Sequence, residues 1–208
     1  MKHRTPLQRR GWISPSAKWA PGSQLLSIAD KLSALPTDSD QISSLLPVPL
    51  LLTLGSCLEA TLNDFLIIDT HQKHGSSHYR NIVEGYIRIP FSNKLRAVVT
   101  ILTDNVFQLR EESDTVALLD ELIVLRNRLA HTKAMMLEIT PEVTQKPPAP
   151  PGLVGHPLSS ISLTHCRDFL RAIHELDEKF FSQYETGYVV ENDLVREIPL
   201  LPEPSDAD

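Results

Sequence analysis

Apolar side chains recur at spacings of three and four residues in four separate stretches of this 208-residue chain. That spacing aligns them along one side of an α-helix, so each stretch predicts a helix with one buried face. The predicted helices run from Pro49 to near His71, from Ser92 to about Leu109, from Glu111 to about His131, and from Ser162 to Phe180. No convincing pair of strands accompanies them. We therefore expect an all-α fold, a four- to five-helix up-and-down bundle.

The residues at the ends of these stretches are typical of helix starts and connections. Pro49 suits a first helical turn, and Ser92 and Ser162 are candidate N-caps. Residues 72–90 are polar and contain Gly75, which predicts an irregular connection between the first two helices.

Three regions are predicted along the chain. Residues 1–44 form an irregular N-terminal arm that includes a short helix from Ser23 to Leu35. Residues 45–184 form the helical domain, in which the proline-rich residues 141–157 are a surface loop. Residues 185–208 are rich in Asp and Glu, and we expect a solvated acidic tail.

Composition limits the function classes. The chain has 20 Lys and Arg against 26 Asp and Glu, a net charge of −6 at pH 7. A protein that coats nucleic acid is basic, so any contact with RNA must be local. The composition is 41% hydrophobic, which is enough apolar material for a core.

Three further features predict a cytoplasmic location without a membrane partner. Residues 1–4 are basic, but no apolar run of secretory-signal length follows them. The most apolar stretch, Leu45 to Ile68, contains two carboxylates and an amide, which a bilayer span would not carry. Cys57 and Cys166 show no metal-ligand spacing and fit a reducing compartment. No cofactor is expected.

The third predicted helix carries the one motif that points to chemistry, Arg126-Asn127-Arg128-Leu129-Ala130-His131. On a helical wheel of about 100° per residue, Asn127 and His131 stack on one line. That line lies roughly opposite the core face, with Arg126 at the border. The core face comprises Leu118, Leu122, Leu125 and Leu129, and the far face also carries Ile123, Val124 and Ala130. An apolar far face predicts a partner, most simply a second copy of the chain.

The side chains of this motif suit the cleavage of a phosphodiester. Histidine exchanges a proton near neutral pH, and the planar fork of arginine holds a phosphate and stabilises developing charge. A two-fold axis near Asn127 and His131 would bring two arginines and two histidines together. Such a site requires no metal ion.

The pattern Arg126-Asn127-x-x-x-His131, near the end of the third core helix, resembles the signature of the HEPN (higher eukaryotes and prokaryotes nucleotide-binding) superfamily. The resemblance covers roughly residues 45–184, and the segment Leu58-Glu59-Ala60-Thr61-Leu62-Asn63 on the first helix is similar to such domains too. It implies a homodimeric, metal-independent endoribonuclease that binds RNA. Such proteins are often toxins or defence effectors beside a neutralising, antitoxin-like protein.

The resemblance also assigns roles to individual residues. Arg126 and His131 are the implied catalytic residues, Asn127 contacts or orients the phosphate, and Arg128 is an accessory basic residue. Glu59 and Asn63 stack four residues apart on the first helix, where they either line the site or form a buried hydrogen-bonded pair between helices.

Other interpretations stay open at this point. Many proteins of this superfamily are non-catalytic nucleotide- or protein-binding modules, and the acidic balance favours that alternative, whereas the intact Arg–Asn–His triplet favours the enzyme. Arg126 would then pair with Glu121 or Asp120, and His131 would stabilise the helix C-terminus. The cluster His71, His74 and His78 suggests a metal site only weakly, because Gly75-Ser76-Ser77 disfavours a helix there.

Overall fold

The computed structural model describes residues 5–6, 20–36, 45–130 and 161–199. This part of the chain is mostly helical, which confirms the predicted fold class in its coarse form. In chain order the elements are β1 (Thr5–Pro6), α1 (Pro21–Ser33), α2 (Pro47–Ile87), α3 (Phe91–Leu102), β2 (Phe107–Leu109), α4 (Asp114–Ala130), α5 (Leu163–Leu176), a π-helical turn (Asp177–Phe181), α6 (Ser182–Glu185), β3 (Tyr188–Val189) and β4 (Val195–Glu197).

The long helix α2 supplies the centre of the core. Six of its leucines, spaced along one side, are fully buried: Leu50, Leu51, Leu54, Leu58, Leu62 and Leu66. The predicted end near His71 is wrong, because helical turns resume after Gly75 and continue to Ile87. Gly75 has a φ of 69° and a ψ of 174°, a conformation that glycine adopts without a Cβ penalty, and it kinks the helix there.

By length and composition, Pro47–Gly75 is the one helical segment among the described residues that could cross a membrane. The same segment carries the six buried leucines and packs against α1, α3, α4 and α5. A central core helix needs the same length and apolar content as a membrane span.

The second predicted helix is shorter than its apolar pattern indicates. It begins at Phe91 directly after Pro90, so the predicted cap at Ser92 is wrong. It ends at Leu102, because Asp104 and Asn105 adopt positive φ values of 53° and 65° and turn the chain into β2. β2 pairs antiparallel with β4, and β1 pairs antiparallel with β3.

Residues 185–199 are not the predicted solvated tail. Val189, Leu194 and Val195 are fully buried, and the segment contributes both β3 and β4. The acidic side chains of Glu191, Asp193 and Glu197 are exposed, and Asp193 pairs with Lys179 at 2.7 Å. The packed domain therefore extends past the predicted boundary at residue 184, and residues 200–208 lie outside the described residues.

The packed domain also extends past its predicted boundary on the N-terminal side, at residue 45. The short helix predicted from Ser23 to Leu35 is present as α1, and it packs closely on α2. The amide of Gly22 donates a hydrogen bond to Asp64 at 3.0 Å, and Ala29 is fully buried. Residues 21–33 are thus part of the core, and not of a separate arm.

The fourth predicted helix is confirmed together with its cap. The Ser162 hydroxyl accepts a hydrogen bond from the His165 amide at 3.1 Å. The predicted apolar stripe is buried throughout: Cys166, Phe169, Leu170, Ile173, Leu176 and Phe180. The proline-rich loop predicted at residues 141–157 lies outside the described residues.

Candidate functional site

Arg126 and Asn127 lie on the last turns of α4, and both side chains are partly exposed. The far face predicted for this helix is wrong in one part, because Ile123 is only 1% exposed. α4 packs against both α2 and α5, so its buried arc is wider than a single stripe. Val124 and Ala130 are exposed, as predicted.

The guanidinium group of Arg126 is held by α2. Nη2 donates to Oε2 of Glu59 at 2.6 Å, and Nη1 donates to Oδ1 of Asn127 at 3.0 Å. The Arg126 and Glu59 side chains are 24% and 31% exposed, so the pair stands at the edge of the core. The guanidinium carbon also lies 5.7 Å from the ring centroid of Phe91, a distance at which a cation and an aromatic face attract each other.

This arrangement replaces the surface pairing considered for Arg126. Asp120 instead accepts two hydrogen bonds from Arg96, at 2.6 and 3.2 Å, and Glu121 pairs with His165 at 3.2 Å. Glu59 is therefore the carboxylate that positions the guanidinium group of Arg126.

Gly55 makes the approach of Arg126 to α2 possible. A Cβ atom at residue 55 would lie 2.5 Å from Cγ of Arg126 and 2.9 Å from its Cβ. Because such distances are too short for carbon atoms, any larger residue there would displace the arginine stem. Gly55 and Glu59 are one turn apart on α2. Gly55 leaves space for the methylene carbons of Arg126, and Glu59 binds its guanidinium group.

The side chain of Asn63 accepts a hydrogen bond from a lysine. Nζ of Lys94, on α3, donates to Oδ1 of Asn63 at 2.7 Å and to the carbonyl oxygen of Ile87 at 3.0 Å. Lys94 is only 1% exposed. Its burial lowers the pKa of its ammonium group, and the charge of Glu59 opposes that shift.

Lys94 is the residue that the sequence analysis missed. Lys94 lies four residues before Val98, on the apolar stripe of α3. That position predicts a buried side chain and could have identified it. A charged residue within a buried stripe indicates a buried polar partner. We refer to the resulting group as the Arg126 cluster: Glu59, Asn63, Lys94, Arg126 and Asn127.

The sequence also singled out Arg128, His131 and three histidines of α2. Arg128 is exposed, and His131 lies outside the described residues. His71, His74 and His78 are exposed side chains near the kink of α2. Within residues 5–6, 20–36, 45–130 and 161–199, no group of His, Cys, Asp and Glu is arranged to hold a metal ion.

The Arg126 cluster combines two cations with one carboxylate, hence a net charge of one positive unit. In its bonds to described residues, Arg126 uses two of the five N–H donors of a guanidinium group. A fixed guanidinium group with free donors and surplus positive charge suits a phosphate or carboxylate oxygen.

Comparison with models of known families, with curated proteins and with solved structures finds no match to this chain. The features of this chain that bear on its function are the motif at the end of α4 and the geometry of the Arg126 cluster.

Proposed function

We propose that this chain is a HEPN-like helical bundle of the up-and-down type that acts as a metal-independent endoribonuclease in a homodimer. The observation that supports this most directly is the placement of Arg126. Its guanidinium group is fixed by Glu59 at a partly exposed edge of the core, in the same turns of α4 that carry Asn127 and lead to His131. Preorganised donors of this kind stabilise charge that develops in a transition state.

In the proposed reaction, the 2′-oxygen of a ribose attacks the adjacent phosphorus while the bond from phosphorus to the 5′-oxygen breaks. His131 of one copy accepts the proton of the 2′-hydroxyl, and His131 of the other copy donates a proton to the leaving 5′-oxygen. Arg126 stabilises the phosphorane-like state, Asn127 orients the phosphate, and Arg128 adds an accessory positive charge. We place this activity in the cytoplasm, as that of a toxin or defence effector with an antitoxin-like neutralising protein.

One observation favours the alternative, a non-catalytic nucleotide- or protein-binding module. The 2.6 Å ion pair with Glu59 offsets much of the charge of Arg126 before any substrate arrives. An arginine used only to join α2 and α4 would have the same geometry.

Incubation of the purified protein with total RNA in EDTA separates the two functions. We expect the wild type to cleave RNA and to leave 2′,3′-cyclic or 2′/3′-phosphate ends, whereas His131→Ala loses a factor of about 10²–10⁴. Arg88→Ala is a matched control, because Arg88 is an exposed arginine that pairs only with Glu84 among the described residues. Equal cleavage by the wild type and His131→Ala would refute the site, and a dimer without any cleavage would favour the binding module.

The dimer itself is tested by light scattering at micromolar concentration. The expected interface includes the exposed end of α4 with Val124 and Ala130. Introducing a charge with Val124→Glu is expected to shift the protein toward the monomer. A wild type that is only monomeric would contradict the proposal.

A further inference from the structure

Among the described residues, Lys94 is the one buried cation, with a side chain that is only 1% exposed. Burial of an ammonium group is costly unless other groups compensate its charge. Both acceptors that bind Lys94, the Asn63 amide and the Ile87 carbonyl, are neutral. Its hydrogen bonds are therefore satisfied, but its charge is not cancelled by the groups that it touches.

The carboxylate whose charge acts on Lys94 is Glu59, one turn before Asn63 on α2. Glu59 makes its direct ion pair with Arg126, at 2.6 Å. The charge of one carboxylate thus acts on two cations, the buried Lys94 and the partly exposed Arg126. Without Lys94, the Glu59–Arg126 pair would be neutral.

We propose that Lys94 is a positioning residue of the Arg126 cluster. Its buried ammonium group offsets the charge of Glu59, so that Glu59 anchors the guanidinium group of Arg126 while the cluster keeps a net positive charge for a phosphate. The proposal rests on the proposed function for the identity of that phosphate as a group of RNA. It requires of the cluster itself only that it bind an anion.

Substitutions that change the charge of the cluster test the role of Lys94. Inorganic phosphate is titrated into the full chain at low ionic strength, and binding is followed by the NMR resonance of the Arg126 Nε–H group. Lys94→Met makes the cluster neutral, and we expect phosphate to bind roughly 3- to 10-fold more weakly. Glu59→Gln keeps an oxygen for Arg126 and raises the net charge, so binding is expected to strengthen. The double variant Lys94→Met/Glu59→Gln returns the charge to the wild-type value, and its affinity should return with it.

Two further variants separate charge from packing. Asn63→Asp leaves Lys94 in place but sets a carboxylate against its ammonium group, and it should weaken phosphate binding as Lys94→Met does. Lys73→Met is the matched control, because Lys73 also donates to a helix-end carbonyl, that of Ile101, but away from Arg126. Its phosphate affinity should equal that of the wild type.

Each outcome decides the matter. A loss in Lys94→Met that the double variant does not restore means a purely structural role and overturns the proposal. If Lys94→Met fails to fold, Asn63→Asp decides by itself. Absence of phosphate binding in the wild type, or equal binding by Arg126→Ala, also overturns it. If the affinities follow the charge but RNA is never cleaved, the proposed ribonuclease function fails and the role of Lys94 stands.

Discussion

Lys94 and Lys73 make similar hydrogen bonds to helix-end carbonyls, but their ammonium groups differ in their other partners. Each donates a hydrogen bond to a carbonyl near the end of a helix, Lys94 to Ile87 and Lys73 to Ile101. Lys94 then binds the neutral Asn63. Lys73 instead binds two carboxylates, Asp69 at 3.0 Å and Asp104 at 2.6 Å.

The pKa directions follow from these partners. Burial lowers the pKa of Lys94. Burial also acts to lower the pKa of Lys73, but the hydrogen bonds and charges of Asp104 and Asp69 together raise it above its ordinary value. We call Asp69, Lys73, Asp104 and Tyr184 the Lys73 cluster, since Tyr184 donates to Asp69 at 2.5 Å.

Helix α2 contributes to both clusters, and the clusters differ in whether their positive charge is cancelled. In the Lys73 cluster every positive charge is cancelled within the cluster, so its interactions hold the kinked part of α2 to the turn after α3 and to α6. In the Arg126 cluster one positive charge is left over at a partly exposed position. We therefore expect substitutions in the first cluster to affect stability, and substitutions in the second to affect function.

Among substitutions in these two clusters, Arg126→Ala is expected to have the largest effect, a loss of RNA cleavage. Loss of one preorganised charge donor typically lowers the rate by about 10²–10³. Stability should change little, by about 1 kcal/mol or less, because Glu59 is 31% exposed and can be hydrated once its partner is gone. Asn127→Ala should lose less activity, because a neutral amide carries no charge. Cleavage assays beside urea denaturation check both quantities.

Asp69→Ala should lower the stability of the fold and leave RNA cleavage unchanged. Asp69 is 3% exposed, and its loss leaves the buried Tyr184 hydroxyl without this acceptor, at a cost of about 1–3 kcal/mol. Cleavage measured well below the melting temperature should equal that of the wild type. Asp69→Asn keeps the shape and one acceptor oxygen, and it is expected to cost less. A loss of activity in Asp69→Ala at full folding would mean that the two clusters are coupled.

These clusters also show how far the sequence could predict the site. Glu59 and Asn63 were expected either to line the site of Arg126 or to form a buried hydrogen-bonded pair between helices. Their spacing of four residues on one helix could not decide between the two. Lys94 was missed because its partners are 31 residues away, at Asn63, and behind the helix end at Ile87. The apolar stripe of α3 indicates that Lys94 is buried, but periodicity does not indicate which residue of another element binds it.

The fold was predicted in the same uneven way. The helices α2, α4 and α5 have many apolar residues at regular spacing, so their existence was evident, and Ser162 marked the start of α5. β2 and β4 are three residues long, too short for alternation to be distinguished from a helical stripe or a charged tail. Gly75 was assigned to an irregular connection after a helix end near His71, but it kinks a helix that continues to Ile87.

Gly55→Ala should affect the Arg126 cluster by geometry alone. The new methyl group would lie 2.5 Å from Cγ of Arg126, so the guanidinium group must move, and we expect cleavage to fall about tenfold. Gly85→Ala is the matched control on the same helix, because nothing lies within 4 Å of its added Cβ. It should stabilise the protein by about 0.5–1 kcal/mol through helix propensity and leave cleavage unchanged. Equal cleavage by both variants would show that the position of Arg126 is not critical.

The smallest expected effect is on the free energy of unfolding at alkaline pH. Lys94 and Lys73 are expected to change it with pH in opposite directions. The folded pKa of Lys94 is lowered, so just below the ordinary value of 10.5 the folded state binds fewer protons than the unfolded state. The contribution of Lys94 to the free energy of unfolding therefore rises with pH in that window. The folded pKa of Lys73 is raised, so its contribution is full below 10.5 and is lost as pH rises through the folded value.

Urea denaturation of the wild type, Lys94→Met and Lys73→Met at a series of alkaline pH values isolates the two contributions by subtraction. Other groups titrate in this range too, but they are common to all three proteins and cancel in the differences. The stability that Lys94 adds relative to methionine should increase as pH approaches 10.5, whereas that of Lys73 should be constant there and decrease above it. If both contributions decrease with pH, Lys94 is paired with a full negative charge in the folded protein. Glu59 would then be the direct partner of Lys94, and Arg126 would lack the carboxylate that anchors its guanidinium group.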